Sequence, residues 1–220
     1  MRYSKYIIVS ILLSYVILMF QSCEKILIGN KGALEENIYL NYETKTNLKL
    51  PFDEAWYISN GGRTHEDGAH HFITCGFGQR YAFDAVIKID DKTHSGNGNQ
   101  NEDYYCFGKQ LNTPADGIIL EIENDIEDNL PGELNENTAV GNYVLIDHLN
   151  GEYSILAHFK KGTIVVSVGD TITQGQELGK AGNSGNSTEA HLHYHLQNSP
   201  KLLNSSGLPA SFKNYYTDGI

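Results

Sequence analysis

The chain has 220 residues, and its 27 acidic side chains outnumber its 16 lysines and arginines, which gives a formal net charge of −11 at pH 7. This length suits one well-buried domain and is short for two. The sequence has no basic stripe, and an acidic chain of this kind is a poor binder of phosphate backbones, which argues against a nucleic-acid partner.

Residues 1–22 have the pattern of an export signal that is removed. Arg2 and Lys5 form a positive start, and residues 6–20 are an apolar run that is short and interrupted for a membrane span. The run ends just before Cys23 in a sequence that resembles a bacterial lipobox; the alternative is an ordinary secretory signal and an incidental cysteine. We expect acylation of Cys23 and an exported, membrane-anchored lipoprotein facing the periplasm or the cell surface, which the mass of the mature N-terminus tests.

After the signal, residues 23–36 are predicted to form a polar tether and residues 37–220 the functional domain. Removal of residues 1–22 takes away two basic and no acidic side chains, so the net charge becomes −13. Cys75 and Cys106 remain, and in an oxidising compartment they are candidates for a disulfide, with two reduced, buried thiols as the alternative.

Short β-strands separated by turns are predicted along the whole domain. The Asn150-Gly151 pair is typical of a tight hairpin turn between two of them. Residues 91–103 are predicted to form an exposed polar loop, residues 125–141 a long acidic loop, and residues 208–212 a part of the tail that packs back. No amphipathic helix is predicted, so the fold class is all-β with antiparallel sheets. The candidate strands are residues 38–42, 48–52, 55–59, 79–89, 117–123, 143–148, 153–159, 163–168, 170–173 and 175–179.

The candidate strand at residues 79–89 carries one acidic residue in an unusual place. Asp84 shares a strand face with Ala82 and Val86, because side chains two residues apart point the same way. A carboxylate between two small apolar residues is unusual on a solvent face, so we expect Asp84 to bind something.

Residues 179–196 are the most informative stretch of the chain. They begin as a loop of glycine, asparagine and serine and end in an alternating run at residues 191–196, which predicts a strand. His191, His193 and His195 then share one face, and neutral imidazole is a good zinc ligand. Two histidines on a strand do not make a metal site by themselves, and an exposed polar face is the alternative.

Residues 184–194, Ser-Gly-Asn-Ser-Thr-Glu-Ala-His-Leu-His-Tyr, closely resemble the signature before the zinc histidine of the lysostaphin-type (LytM, M23 family) metallopeptidases. The usual family pattern has Gly-Pro where this chain has Glu189 and Ala190. Further segments in the right order, including Gln-Arg-Tyr-Ala-x-Asp at residues 79–84, resemble a subgroup of that family. The resemblance covers most of residues 50–196 and implies the antiparallel barrel-sandwich hybrid of these peptidases.

The resemblance also implies one Zn²⁺ ion, held by His71, Asp84 and His193 with an open position for water. His70 competes with His71, because the spacing to Asp84 is longer than the four residues that are usual in the family.

The two further active-site histidines of the family correspond to His158 and His191. By resemblance they would take a proton from the attacking water or steady the oxyanion. Without the resemblance, His158 would be taken as a surface histidine of a hairpin, beside Lys160 and Lys161. The other histidines are predicted to be structural or surface residues: His65, His94, His148 and His195.

The resemblance therefore implies a zinc metalloendopeptidase, a hydrolase that cleaves peptide bonds in the cross-links or stem peptides of cell-wall peptidoglycan. The alternative is a non-catalytic module of the same fold that binds wall material or regulates another wall hydrolase. A purely structural surface lipoprotein would leave the clustered histidines unexplained. The sequence contains neither His-Glu-x-x-His nor Gly-x-Ser-x-Gly, and a thiol peptidase based on Cys106 stays open.

Overall fold

Short antiparallel strands make up most of the regular structure in the described part of the chain. The computed structural model describes residues 39–63, 77–202 and 205–217, and Asn41–Ile220 form one compact unit. No α-helix occurs within the described ranges, and none of their segments is a helix long and apolar enough to span a membrane. The strands are β1 (Tyr57–Asn60), β2 (Phe83–Val86), β3 (Gln110–Asn112), β4 (Gly117–Glu123), β5 (Tyr143–Asp147), β6 (Tyr153–Ala157), β7 (Thr171–Ile172), β8 (Glu177–Lys180), β9 (Leu192–Gln197) and β10 (Gly207–Leu208).

Eight of these strands form one sheet, in the order β1-β2-β9-β6-β5-β4-β7 with β10 paired to β9. Strands β3 and β8 form a separate two-stranded sheet. Every pair of strands is antiparallel, which confirms the predicted all-β class. Strand β9 lies inside the large sheet, between β2 and β6, and it therefore receives neighbours from both sides.

The predicted hairpin and the predicted packing of the tail are both confirmed. Strands β5 and β6 pair over their whole length around the Asn150-Gly151 turn, where Gly151 has a φ of 85° that favours glycine. In the tail, Leu208 is buried and the Phe212 ring lies 5.3 Å from the ring of Tyr194, which is itself fully buried on β9. The C-terminal residues thus cover part of the core that supports β9.

Several predicted strands are shorter than expected or absent. The strand expected at residues 79–89 is limited to β2, because a turn of 3₁₀ helix at Phe77–Gln79 precedes it. Residues 39–42, 48–52 and 163–168 form no strand, although Leu48 is buried and bridges to Phe212. Strand β3 was not predicted, since it is only 3 residues long and such a short element has no readable period.

Glu152 fastens the N-terminal segment to the β5–β6 hairpin. Its buried carboxylate accepts hydrogen bonds from the amides of Lys45 at 2.7 Å and Thr46 at 2.8 Å and from the Tyr42 hydroxyl at 2.9 Å. Burial alone raises the pKa of Glu152, but these hydrogen bonds outweigh it and leave the pKa lowered. A carboxylate of this kind stabilises the fold above its unfolded-state pKa of about 4.3, and the contribution is lost as the pH falls through the folded-state pKa.

We expect Glu152→Gln to lower the free energy of unfolding at neutral pH by about 1.5–3 kcal/mol, because an amide NH₂ would then face backbone N–H donors. Denaturant unfolding of the parent and the variant measures this difference, which should shrink as the pH falls below the unfolded-state pKa of about 4.3 and the parent carboxylate takes up a proton. Glu133→Gln, on an exposed loop residue, is the control and should leave the stability unchanged. A loss that stays at full size in acid would contradict the explanation from charge.

Candidate active site

Strand β9 places three histidines along one face of the sheet. Its register with β2 sets His193 opposite Asp84. His195 follows two residues later, and His191 stands just before the strand, so that all three line one cleft. The alternate side chains are fully buried on the other face: Leu192, Tyr194 and Leu196. The alternation predicted from the sequence is therefore confirmed.

Asp84 and three histidines meet at one end of the sheet. Oδ1 of Asp84 lies 2.8 Å from Nδ1 of His193 and 3.6 Å from Nε2 of His191. His158 follows directly after β6, and its ring centre is 4.7 Å from that of His191 and 5.7 Å from that of His193. The fold thus brings together four of the residues that the resemblance implicates.

Hydrogen bonds to main-chain carbonyls fix the orientation of two of the rings. Nδ1 of His158 lies 2.7 Å from the Ser184 oxygen, and Nδ1 of His191 lies 2.9 Å from the Glu189 oxygen. A carbonyl oxygen only accepts hydrogen bonds, so in each neutral ring we assign the proton to Nδ1 and a free lone pair to Nε2. Both rings are therefore held as bases whose Nε2 can accept a proton.

His158 is a buried residue and not the surface histidine that its neighbours in the sequence suggest. Its exposed fraction is 6%, and burial, followed by the nearby His191 and His193, holds its pKa well below the usual range. The backbone of His158 has a φ of 64°, in the left-handed region that residues with a Cβ rarely adopt. Such strained conformations cluster at functional sites, where the surrounding structure enforces them.

Strand β1 provides a hydrogen bond to the second carboxylate oxygen of Asp84, Oδ2. Asn60 faces Asp84 across the β1–β2 pair, and its side-chain amide donates a hydrogen bond to Oδ2 at 3.0 Å. The Ser59 hydroxyl donates to the main-chain oxygen of Asp84 at 3.2 Å. Sequence analysis missed Asn60, because its signal is a cross-strand partnership that only the register of two distant segments reveals.

The cleft around these residues has a volume of about 560 Å³. Its described lining includes the acidic residues Asp84 and Glu189 and no lysine or arginine. Leu134 and Val140, from the long acidic loop, also belong to the lining. A cleft of this size, with few convergent polar groups, is typical of a site for a small ligand or a segment of peptide.

The donor atoms in the cleft fit a zinc ion. Zinc takes imidazole nitrogen and carboxylate oxygen at about 2.0–2.2 Å, so two such atoms on a tetrahedral ion lie roughly 3.3 Å apart. Oδ1 of Asp84 and Nδ1 of His193, the two proposed ligand atoms, are 2.8 Å apart, and Nε2 of His191 lies beside them at 3.6 Å from the same oxygen. Ring nitrogens of His158, His191 and His193 also lie within 4.8 Å of one another, which allows a second ligand set without the carboxylate.

Several predicted residues lie outside the described ranges, and the statements about them stay predictions. They are Cys23, His65, His70, His71 and Cys75. Cys106, the proposed disulfide partner of Cys75, is a free, buried thiol that donates a hydrogen bond to the Ala190 oxygen at 2.9 Å. Burial raises the pKa of Cys106 to about 12, so its thiolate is too scarce for the thiol peptidase left open by the sequence.

The remaining histidines take different positions. His148 is buried in the β5–β6 hairpin between the Asp116 oxygen at 2.8 Å and the Ser154 hydroxyl at 2.7 Å, which is a structural role as predicted. His94 is partly exposed and packs on the ring of Tyr104. His195 is buried and lines the cleft beside His193, with Nε2 at 3.1 Å from the Gln197 amide oxygen.

Two curated relatives each match less than half of the chain. The chain is 31% identical over 106 residues to an uncharacterized metalloprotease of Buchnera aphidicola subsp. Baizongia pistaciae, a match that covers 46% of this chain and 24% of the relative. It is 33% identical over 90 residues to the peptidoglycan DD-endopeptidase ShyA of Vibrio cholerae, covering 41% of this chain and 18% of that protein. The chain thus spans a quarter or less of the length of these relatives.

A solved structure of a zinc-containing peptidase from Vibrio cholerae superimposes with a TM-score of 0.46 and 17% identity, over 77% of this chain and 41% of that one. The sequence profile described as Peptidase family M23 matches residues 102–205, a range that includes His158, His191 and His193. Asp84 lies before the matched range and joins these histidines through the β2–β9 pairing. Residues 102–205, just under half of the chain, are accordingly similar to peptidase family M23.

Proposed function

We propose that the chain is a zinc-dependent endopeptidase that cleaves peptide bonds in the cross-links or stem peptides of peptidoglycan. The observation that carries the proposal is the meeting of Asp84, His158, His191 and His193 at one end of a cleft. The similarity of residues 102–205 to the M23 family and the match to a peptidoglycan DD-endopeptidase support the choice of reaction and substrate.

In this proposal Asp84 and His193 hold the zinc ion together with a third ligand, for which His71 is the candidate and His70 its competitor. Both histidines precede β2 in the chain, which is where the resemblance implies the third ligand. Asn60 keeps the Asp84 carboxylate in place from Oδ2, which leaves Oδ1 toward His193. Partners of this kind orient metal ligands and raise metal affinity.

Zinc bound there would polarise the scissile carbonyl and lower the pKa of the attacking water. His191 accepts the proton of that water at Nε2, while its Nδ1–H stays on the Glu189 oxygen. The protonated ring can then donate from Nε2 to the leaving amine. His158 has the same arrangement of protons, so it can act as a donor toward the oxyanion only after its own Nε2 has gained a proton.

The alternative is a non-catalytic module that binds wall material or regulates another wall hydrolase. A binding module has no use for two imidazoles whose Nε2 atoms are both kept as proton acceptors. This arrangement favours the enzyme over the module. The predicted lipid on Cys23 would hold such an enzyme at a membrane close to the wall, and it belongs to the same proposal.

Digestion of purified peptidoglycan tests the proposed activity. The full chain is stripped of metal by a chelator, reloaded with zinc and incubated with wall material, and the release of new α-amino groups is measured. We expect release by the zinc-loaded protein and none by the stripped protein, because the reaction needs the ion to activate water. Zinc-loaded protein that binds the wall but releases no amine would establish the non-catalytic alternative instead.

A further inference from the structure

Glu189 is a carboxylate in the cleft that the proposed reaction does not use. It replaces the glycine of the usual family pattern, two residues before His191. Its main-chain oxygen accepts hydrogen bonds from the Ser187 hydroxyl at 2.8 Å and from His191 Nδ1 at 2.9 Å. The backbone of Glu189 is therefore fixed by the same contacts that orient the proposed base, and the half-buried residue belongs to the cleft lining beside that base.

The side chain of Glu189 is oriented but its charge is not neutralised. Oε2 accepts a hydrogen bond from the Thr93 hydroxyl at 3.1 Å. Thr93 is itself held by its main-chain oxygen, which accepts from the Tyr105 amide at 3.0 Å. Among the described residues, no lysine, arginine or histidine forms an ion pair with Glu189. A single neutral donor leaves the second carboxylate oxygen and the negative charge available to a ligand.

The other carboxylate in the cleft is already engaged. Asp84 contacts His193 at Oδ1 and Asn60 at Oδ2. Glu189 is thus the acidic group in the described lining that can meet a positive charge from outside, and no described lysine or arginine of the lining would repel that charge. A partly desolvated carboxylate binds a ligand with a cationic group more tightly than the same ligand without that charge.

We propose that Glu189 forms a subsite for a primary ammonium group on the substrate peptide, close to the bond that is cleaved. The ligand class is a peptide with a free side-chain or terminal amine. The loop at residues 91–103 takes part because its Thr93 orients the Glu189 carboxylate. This inference rests on the proposed function, because it names the substrate group that the same cleft selects.

The test uses pairs of synthetic wall peptides that differ in one lysine, whose amine is free in one peptide and acetylated in the other. The lysine is moved to successive positions, and kcat/KM is measured with the zinc-loaded full chain. We expect the free amine to be preferred about tenfold at one position. Glu189→Gln should remove this preference, since the side chain keeps its shape and loses its charge. Glu177→Gln, which makes the same charge change on β8 away from the cleft, should retain it.

Binding of the same peptides to the zinc-free chain, measured by calorimetry, separates this inference from the proposed function. A free-amine preference in binding that Glu189→Gln removes supports the subsite even where no peptide is cleaved, which would overturn only the peptidase. Equal cleavage and equal binding of the paired peptides at every position would overturn the subsite. So would a preference that survives Glu189→Gln.

Discussion

His193→Ala should lose bound zinc and peptidase activity together. The proposed site has three protein ligands, and an ion held by two is held weakly. Loss of a group that only orients a ligand already lowers metal affinity by about 10–100-fold, so loss of the ligand itself should exceed that range. Elemental analysis of the purified full chain should show close to one zinc per chain in the parent and a small fraction of that in the variant.

His94→Ala is the matched control for this experiment. It also removes one imidazole, but His94 packs on Tyr104 and does not line the cleft, so zinc and activity should both be kept. We expect His193→Ala to fold, because its fully buried neighbours Leu192 and Tyr194 are unchanged. Unfolding curves of the parent and the variant in the presence of a chelator check this. A folded His193→Ala variant with a full complement of zinc would exclude His193 as a ligand.

The sequence predicted the parts of the fold that depend on local signals. The β5–β6 hairpin follows from the Asn150-Gly151 turn between two apolar runs, and β9 follows from strict alternation over residues 191–196. Strand β4 has the predicted bounds. These segments combine a pattern of apolar residues typical of strands with turn residues at their ends. Such signals lie close together in the sequence, so they can be read without knowledge of the fold.

The remaining features depend on contacts between distant segments. Residues 48–52 form no strand, although Leu48 and Phe52 are buried. Their main-chain hydrogen bonds run to three separate places, namely Lys213 in the tail, Pro114 and Asn112. Asn60 and His158 gain their positions from register and from an unusual backbone angle, neither of which has a signature in the sequence. The resemblance implicated His158, whereas its immediate neighbours in the chain suggested an exposed hairpin.

The geometry of the cleft bears on whether Asp84 is a metal ligand, as the resemblance implies. Three imidazoles without Asp84 could also hold an ion, because ring nitrogens of His158, His191 and His193 lie within 4.8 Å of one another. Two facts favour the set with the carboxylate. Asp84 makes the shortest contact in the group, 2.8 Å to His193, and a carboxylate offsets part of the ionic charge in a partly buried site.

His191→Ala distinguishes the two ligand sets. If Asp84 and His193 hold the ion, His191 is a base beside it, and the variant should keep its zinc. Its turnover should nevertheless fall by at least about 100-fold, the low end for the loss of a positioned proton-transfer group. The measurement pairs zinc analysis with the release of α-amino groups from wall peptide, each on the same preparation of the full chain.

Removal of His191 also removes the hydrogen bond between its ring and the Glu189 oxygen. A second variant is therefore needed to separate the loss of the proton acceptor from a change in this loop. Ser187→Ala is suitable, because it removes the hydroxyl that bonds the Glu189 oxygen at 2.8 Å and lies 3.2 Å from His191 Nδ1, and it leaves the imidazole in place. If the rate loss comes from the missing proton acceptor, Ser187→Ala should be much faster than His191→Ala and should retain the pH dependence of the parent. Loss of zinc from His191→Ala would instead assign the metal to the three imidazoles, and wall cleavage at the parent rate would remove His191 from the mechanism.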